Sequence, residues 1–349
     1  MTPTFPSTVA TLLLVAPLVV ASDNAIAETV CGAISDMGDY DYGIHIGAIF
    51  IIFAASIFGS MLPVLSPYIP CFRNSHNGFS LLNSFGFGVV VSTAFIHMIP
   101  EGAEALNDPC LNVGYSGLAM AIVVLTVLVM QLLETELLLF WTKKAAKGDL
   151  STDEENQVDN NSTEFGQTST PAAHHHSHSV ATNDKAATAM RKTINVLIFE
   201  VGVAIHSIFI GLNLGVATGK SFNTLLIAIS FHQFFEGVAV GSSAVSAFTT
   251  LRSSVYTALG FSLATPFGMV VGIAINSTYS ETSTAALWVR GTMDAVSGGI
   301  LIYTSLVELL TYQYTTNQEF HDKSPTMRLL TYVCLWLGAA SMAIVGYWA

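Results

Sequence analysis

The sequence predicts an all-α membrane protein with eight transmembrane helices and extracytoplasmic termini. Three observations carry this. Only 10 % of the 349 residues are Asp, Glu, Lys or Arg, while 52 % are hydrophobic, which is too little charge to solvate a soluble chain of this size. Eight runs, at about 44–69, 79–100, 116–141, 192–218, 222–247, 253–277, 286–311 and 328–348, are long and apolar enough to cross a bilayer. The runs are continuously apolar and do not alternate, so porin-like strands are excluded. In lipid the backbone must then satisfy its own polar groups, which leaves the helix.

Orientation follows from the basic residues. Arg73, Lys143, Lys144, Lys147, Lys185, Arg191, Lys192, Arg252, Lys323 and Arg328 fall on one side, and only Lys220 and Arg290 on the other. The first side is therefore expected in the cytosol. The formal charge of −12 says little about partners, because most acids sit between the apolar runs, and no nucleic-acid partner is expected.

Taken in order, residues 9–21 are apolar, interrupted by Pro17, and followed by Ala25-Ile26-Ala27, the small-x-small form of a signal-peptidase site. Residues 1–27 are read as a cleaved signal peptide, although a basic n-region is missing; a ninth, short membrane segment is the alternative. Residues 28–43 form an extracytoplasmic N-terminal segment and 44–141 the first three helices. Cys31 and Cys110 land on the same oxidising side, which predicts a disulfide between them, with two free thiols as the alternative. Residues 142–191 are a polar cytosolic loop, expected to be disordered, that carries Asn160 and Asn161 in sequons and a cluster of His174, His175, His176 and His178. That cluster is a weak, sensing-type metal site or a plain linker. Residues 192–349 hold the remaining five helices. Gly211, Gly215 and Gly219 in the fourth run, with Gly237 and Gly241 in the fifth, predict that these two helices pack together.

The polar groups inside the membrane point to chemistry. The fourth run holds Glu200, His206 and Ser207, and the fifth His232, Gln233 and Glu236; His232 and Glu236, four apart, share a helix face. His206 is fourteen residues from Lys192 and Glu236 thirteen from Asn223, so both lie roughly 20 Å in, with His232 about 6 Å further outward. A carboxylate at a helix centre costs about 2.5–3.5 kcal/mol on insertion scales, and a divalent cation or hydration offsets that. Imidazole nitrogen with carboxylate oxygen suits zinc, ferrous iron or manganese better than calcium or magnesium. One buried histidine is ordinarily a satisfied core residue; two with a glutamate at one depth indicate metal.

At the end of the second run, His97 and Glu101 share a face and Glu104 follows. They are read as a cation-collecting site on the extracytoplasmic rim, the alternative being an acidic helix end facing water. The seventh run holds Asp294 and Glu308; Glu308 is a candidate metal residue or a surface acid. Glu134 and Glu136 lie within roughly 10 Å of the cytosolic end of the third run and can snorkel, so they receive no role. Pro266 should break backbone bonding in the sixth run, which places that helix beside a path.

These residues resemble the ZIP family of metal transporters, and specifically its plant and fungal zinc and iron branch, over the whole membrane region. The resemblance rests on the stretch from His206 through Gly215, on His232-Gln233-Phe234-Phe235-Glu236-Gly237, on His97 to Glu104, on Phe261 to Gly268, and on Gly299 to Tyr303 with Leu306 to Leu310. It implies a ZIP-type eight-helix bundle, metal sites between helices 4 and 5, uptake into the cytosol, and helices 1, 4, 5 and 6 sliding against 2, 3, 7 and 8, usually in a homodimer. Some bacterial relatives carry Asn and Glu where this chain has Ser207 and Ile210, and Asp where it has Gln233. A single strong midplane site is therefore expected here.

The resulting expectation is a multi-pass plasma-membrane transporter, not an enzyme, with no resident cofactor. Its cargo is zinc or ferrous iron, with manganese and cadmium as further candidates, collected at His97, Glu101 and Glu104 and ligated by His206, His232 and Glu236. A membrane zinc hydrolase would fit His and Glu in a bundle, but the chain has no HExxH sequence. A non-transporting sensor built on the histidine loop is the third possibility.

Overall fold

The computed structural model describes residues 31–32, 40–69, 76–158 and 177–347, with the backbone alone at 76–77, 138, 141–158, 177–189, 308–309 and 312. The described residues form eight long helices and no strand. They are α1 (Tyr42–Leu65), α2, α3 (Leu118–Val158), α4 (Ser177–Val216), α5 (Gly219–Ala247), α6 (Leu251–Ile275), α7 and α8 (Pro325–Val345). α2 is continuous in three pieces, His76–Ser92, the wider π-helical turn Thr93–Met98, and Ile99–Leu106. α7 is α-helical over Thr284–Tyr303 and π-helical over Thr304–Thr315. Seven of these helices are long and apolar enough to cross a membrane; α7 has the length but carries Arg290 and Asp294 in its first half.

Local chemistry sets the helix starts. Asp41 accepts from the amides of Gly43 and Ile44, Thr250 from Ser253, Ser283 from Ala286, and Ser324 from Met327, each at a helix N-terminus. These contacts satisfy amides that have no partner within the helix. The start of α1 is also tied to the end of α4: the Tyr40 hydroxyl donates to the Gly215 carbonyl at 2.6 Å, and His45 Nε2 lies 2.9 Å from the Ala217 carbonyl. A disulfide joins Cys31 to Cys110 at this same end of the bundle. The opposite end carries Arg252, Lys323 and Arg328 and is called the basic end below.

Two expectations are corrected. Residues 142–191 are expected from their polarity to be a disordered loop; in its described parts α3 instead continues to Val158 and α4 begins at Ser177. The reason is composition: Ala145, Ala146, Glu154, Glu155, Ala186, Ala187 and Ala189 are strong helix formers, and polarity alone does not prevent a helix. The signal-peptide segment, Cys71, Asn160, Asn161, His174, His175 and His176 lie outside the described residues, and His178 falls in α4 with its side chain outside them.

The second correction concerns the glycine faces. A Cβ at Gly211 would collide with the Thr265 carbonyl of α6, and one at Gly268 with the Ile208 carbonyl of α4. Likewise Gly59 of α1 meets the Phe234 carbonyl of α5, and Gly241 meets Ser60 of α1. The glycine stripes thus pair α4 with α6 and α1 with α5, rather than α4 with α5. In the other half, Gly88 and Gly338 let α2 and α8 touch, and Gly299 seats α3 against α7. The helices separate by contact into one group of α1, α4, α5 and α6 and another of α2, α3, α7 and α8. Phe87, Met98, Phe199, Val203, Val240 and Leu301 fill the seam between them.

Pro266 lies buried inside an unbroken α6. Having no N–H, it leaves the Ser262 carbonyl without its partner one turn back, next to the backbone contact with α4.

Candidate metal centre

α5 presents His232 and Glu236 one turn apart on a buried face, with His232 Nε2 3.3 Å from Glu236 Oε1. α4 runs antiparallel beside it and delivers His206, whose ring centroid is 5.6 Å from that of His232. One ligand atom from each of the three residues lies within 4.8 Å of the others. His206 and His232 are 0 % exposed and Glu236 is 3 % exposed.

These atoms are buried without being satisfied. Neither ring nitrogen of His206 or His232, and neither oxygen of Glu236, has a hydrogen-bond partner; His232 and Glu236 are close without being aligned for a hydrogen bond. An unmatched buried polar group costs about 1–3 kcal/mol, and native interiors rarely accumulate them. Three of these atoms, one from each residue, lie within 4.8 Å of one another, an arrangement that suits a cation between them.

The surrounding residues divide into those the fold brings in and those it does not. His97 was expected at the rim, but it is 2 % exposed. Its ring stands edge-on 5.1 Å from that of His232, and its Nε2 is 3.2 Å from the Met342 carbonyl of α8. The cause is the π-helical turn Thr93–Met98, which carries α2 past Pro100 and on to Leu106. His97 therefore sits about 14 Å inside the helix end. Glu101, half-buried on the next turn, is near enough to His206, His232, Asp294 and Arg290 to interact electrostatically with all four. Glu104 is exposed.

Gln233 turns away and donates to Ser56 of α1 at 3.1 Å. Ser207 Oγ is fully buried and has no hydrogen-bond partner. Glu200 is not part of the cluster: it lies six residues, about 9 Å, along α4 toward the basic end, with its carboxylate packed against Gly260 of α6. Glu308 falls in the π-helical part of α7, with its side chain outside the described residues.

Two acids given no role in the sequence matter in the fold. Asp294 of α7 is 2 % exposed, its Oδ1 lies 3.8 Å from His206 Nδ1, and its Oδ2 has no hydrogen-bond partner. The signal was an acid inside an apolar run, and what remained hidden was which helix it faced. Glu134, expected to snorkel, is instead 3 % exposed and paired with Arg191 at 2.6 Å, whereas Glu136 is exposed.

Known proteins resemble this chain over most of its length. The chain is 33 % identical over 323 residues to "Zinc transporter 9" of Oryza sativa subsp. japonica, covering 86 % of this chain and 88 % of that protein. It is 31 % identical to "Zinc transporter 5" of the same organism, covering 97 % of each. It is also 31 % identical to "Fe(2+) transport protein 2" of Arabidopsis thaliana, covering 88 % of this chain and 87 % of that protein. Residues 42–346 match the family described as "ZIP Zinc transporter", and the chain belongs to that family.

Proposed function

We propose that this ZIP transporter binds a divalent transition metal, zinc or ferrous iron, between α4 and α5 and delivers it to the cytosol by alternating access. His206, His232 and Glu236 hold the ion, and Asp294 steadies the His206 ring from the opposing helix group. The observation that supports this most is that His206, His232 and Glu236, buried at 0–3 % exposure with no hydrogen-bond partner for their ring nitrogens and carboxylate oxygens, each bring one such atom within 4.8 Å of the others. Zinc–ligand bonds near 2.0–2.2 Å place tetrahedral ligands roughly 3.4 Å apart, so side chains within 4.8 Å of one another reach the ion by small rotamer adjustments. Three protein ligands leave a position for water, which keeps the ion exchangeable.

Exposed Glu104 and half-buried Glu101 form a descending acidic route from the disulfide end, and His97 sits beside the ligands as the last group on that route. The excess of Lys and Arg assigns the basic end to the cytosol, so the route runs inward. The zinc and Fe(2+) in the relatives' names set the expected cargo; manganese and cadmium share the same borderline donor preference. A plasma-membrane location and a homodimer belong to the same proposal, on the resemblance to the family, and crosslinking in native membranes tests the latter. The protein is a transporter and not an enzyme.

Radiolabelled zinc or iron uptake into proteoliposomes tests the reading. Glu236→Ala and His206→Ala are expected to abolish uptake with the protein still folded in the membrane. Undiminished uptake in both would overturn the ligand assignment.

A further inference from the structure

Glu134 lies near the basic end of the membrane-spanning part of α3, Leu118–Leu137, and is almost fully buried, yet both its oxygens are engaged. Oε1 is 2.6 Å from Arg191 Nε of α4, and Oε2 accepts the Tyr303 hydroxyl of α7 at 2.5 Å. The same hydroxyl lies 3.2 Å from Gln131 Oε1, one turn earlier on α3; having a single proton, it favours the shorter, charge-assisted contact. α3 and α7 belong to one helix group and α4 to the other, so this ion pair crosses the seam between the groups.

A cavity opens at the same level. Its walls include Asn195 and Phe199 of α4, Ser243 and Ser246 of α5, Phe87 of α2 and Gln313 of α7. Phe199 is seven residues from His206, and Ser243 seven from Glu236, so the cavity lies about 10 Å from the metal centre toward the basic end. Buried Val203 and Val240 come between. Both helix groups contribute walls, so the cavity changes shape when the groups move relative to each other. Arg191 directly precedes the cavity-lining Lys192, and Tyr303 directly precedes Thr304, which lines the cavity and begins the π-helical segment. π-helical turns recur at functional sites.

We infer that Glu134 is the latch of this vestibule: by tying Arg191 across the seam to Tyr303, it holds the bundle in the conformation whose cavity faces the basic end. The inference rests on the transport reading for its meaning, but its test does not. Any movement of α4 along α3 and α7 separates Arg191 from Glu134 and strands a buried charge, so the pair biases which conformation is populated. Glu134 is a positioning residue and not a metal ligand, because Arg191 and Tyr303 already occupy its oxygens.

The test uses the full-length protein with Cys71→Ser and Cys334→Ser, leaving the Cys31–Cys110 disulfide intact, and Ser246→Cys as reporter. Inside-out vesicles are treated with a membrane-impermeant methanethiosulfonate. Glu134→Gln is expected to slow modification about fivefold or more, as the population leaves the observed state, and Tyr303→Phe about twofold. Exchanging the charges, Glu134→Arg with Arg191→Glu, is expected to restore the rate to within about twofold. In zinc uptake, Glu134→Gln lowers the maximal rate about tenfold with half-saturation changed less than about threefold. Unchanged modification in both Glu134→Gln and Tyr303→Phe would overturn the latch. So would weakened half-saturation with the maximal rate retained, which marks a ligand. Altered modification in the variants together with no zinc or iron uptake by the unmutated protein would refute the transport reading and leave the latch standing.

Discussion

Two buried polar clusters lie along the seam between the helix groups, and they are built oppositely. Around Glu134 both carboxylate oxygens have partners, an arginine and a tyrosine. Around Glu236 both oxygens, and the four nitrogens of His206 and His232, have none. Both glutamates are 3 % exposed, so burial does not distinguish them; satisfaction does. A saturated cluster joins elements, whereas an unsaturated one whose lone pairs converge is completed by a cation that comes and goes. The same bundle thus uses one carboxylate to hold helices and another to hold cargo.

The comparison can be broken most forcefully at the unsaturated cluster. His232→Ala is expected to reduce apparent zinc affinity by more than about a hundredfold, since it removes a ligand outright, as titration of the purified protein will read. Asp294→Asn comes next. If this carboxylate orients His206, zinc affinity drops about 10- to 100-fold, the range for carboxylates that support a ligating histidine. A loss as large as that of His232→Ala would instead make Asp294 a ligand.

Smaller effects sharpen the contrast. Gly211→Leu forces a side chain into the Thr265 carbonyl and is expected to lower thermal stability by several degrees, in line with overpacking costs of about 1–3 kcal/mol. Glu200→Gln, outside both clusters, is expected to leave zinc affinity within about twofold, because its carboxylate packs against Gly260 of α6 and its distance from His206 is about 9 Å. Glu104→Gln is expected to raise half-saturation for uptake about twofold at low salt and less at high salt, as an exposed steering charge does. A fall of tenfold or more for Glu200→Gln would place a second ion along α4.

Much of this was legible in the sequence because it depends on local periodicity. The eight runs follow from composition, and the shared face of His232 and Glu236 from their spacing. The depth of His206 follows from its distance to Lys192 at the start of the apolar run. What the sequence concealed was long-range or conformational. A stripe at Gly211 and Gly215 announces that a backbone comes close but not whose, and here it is α6. The π-helical turn at Thr93–Met98 has no simple periodic signature, so His97 looked like a rim residue. Glu134 looked able to snorkel because its partner Tyr303 is 169 positions away, and no pattern along α3 reveals it. The polar ends of α3 and α4 resemble a loop in hydropathy alone, yet alanines such as Ala145, Ala146, Ala186 and Ala187 favour a helix without an apolar face.

The most direct test of the central claim is X-ray absorption spectroscopy at the zinc edge on the purified, zinc-loaded transporter. Two imidazoles and oxygen ligands at about 2.0–2.1 Å are expected, with one imidazole lost in His206→Ala and one in His232→Ala. An unchanged imidazole count in both variants would contradict it, because the ion would then be held somewhere other than between α4 and α5.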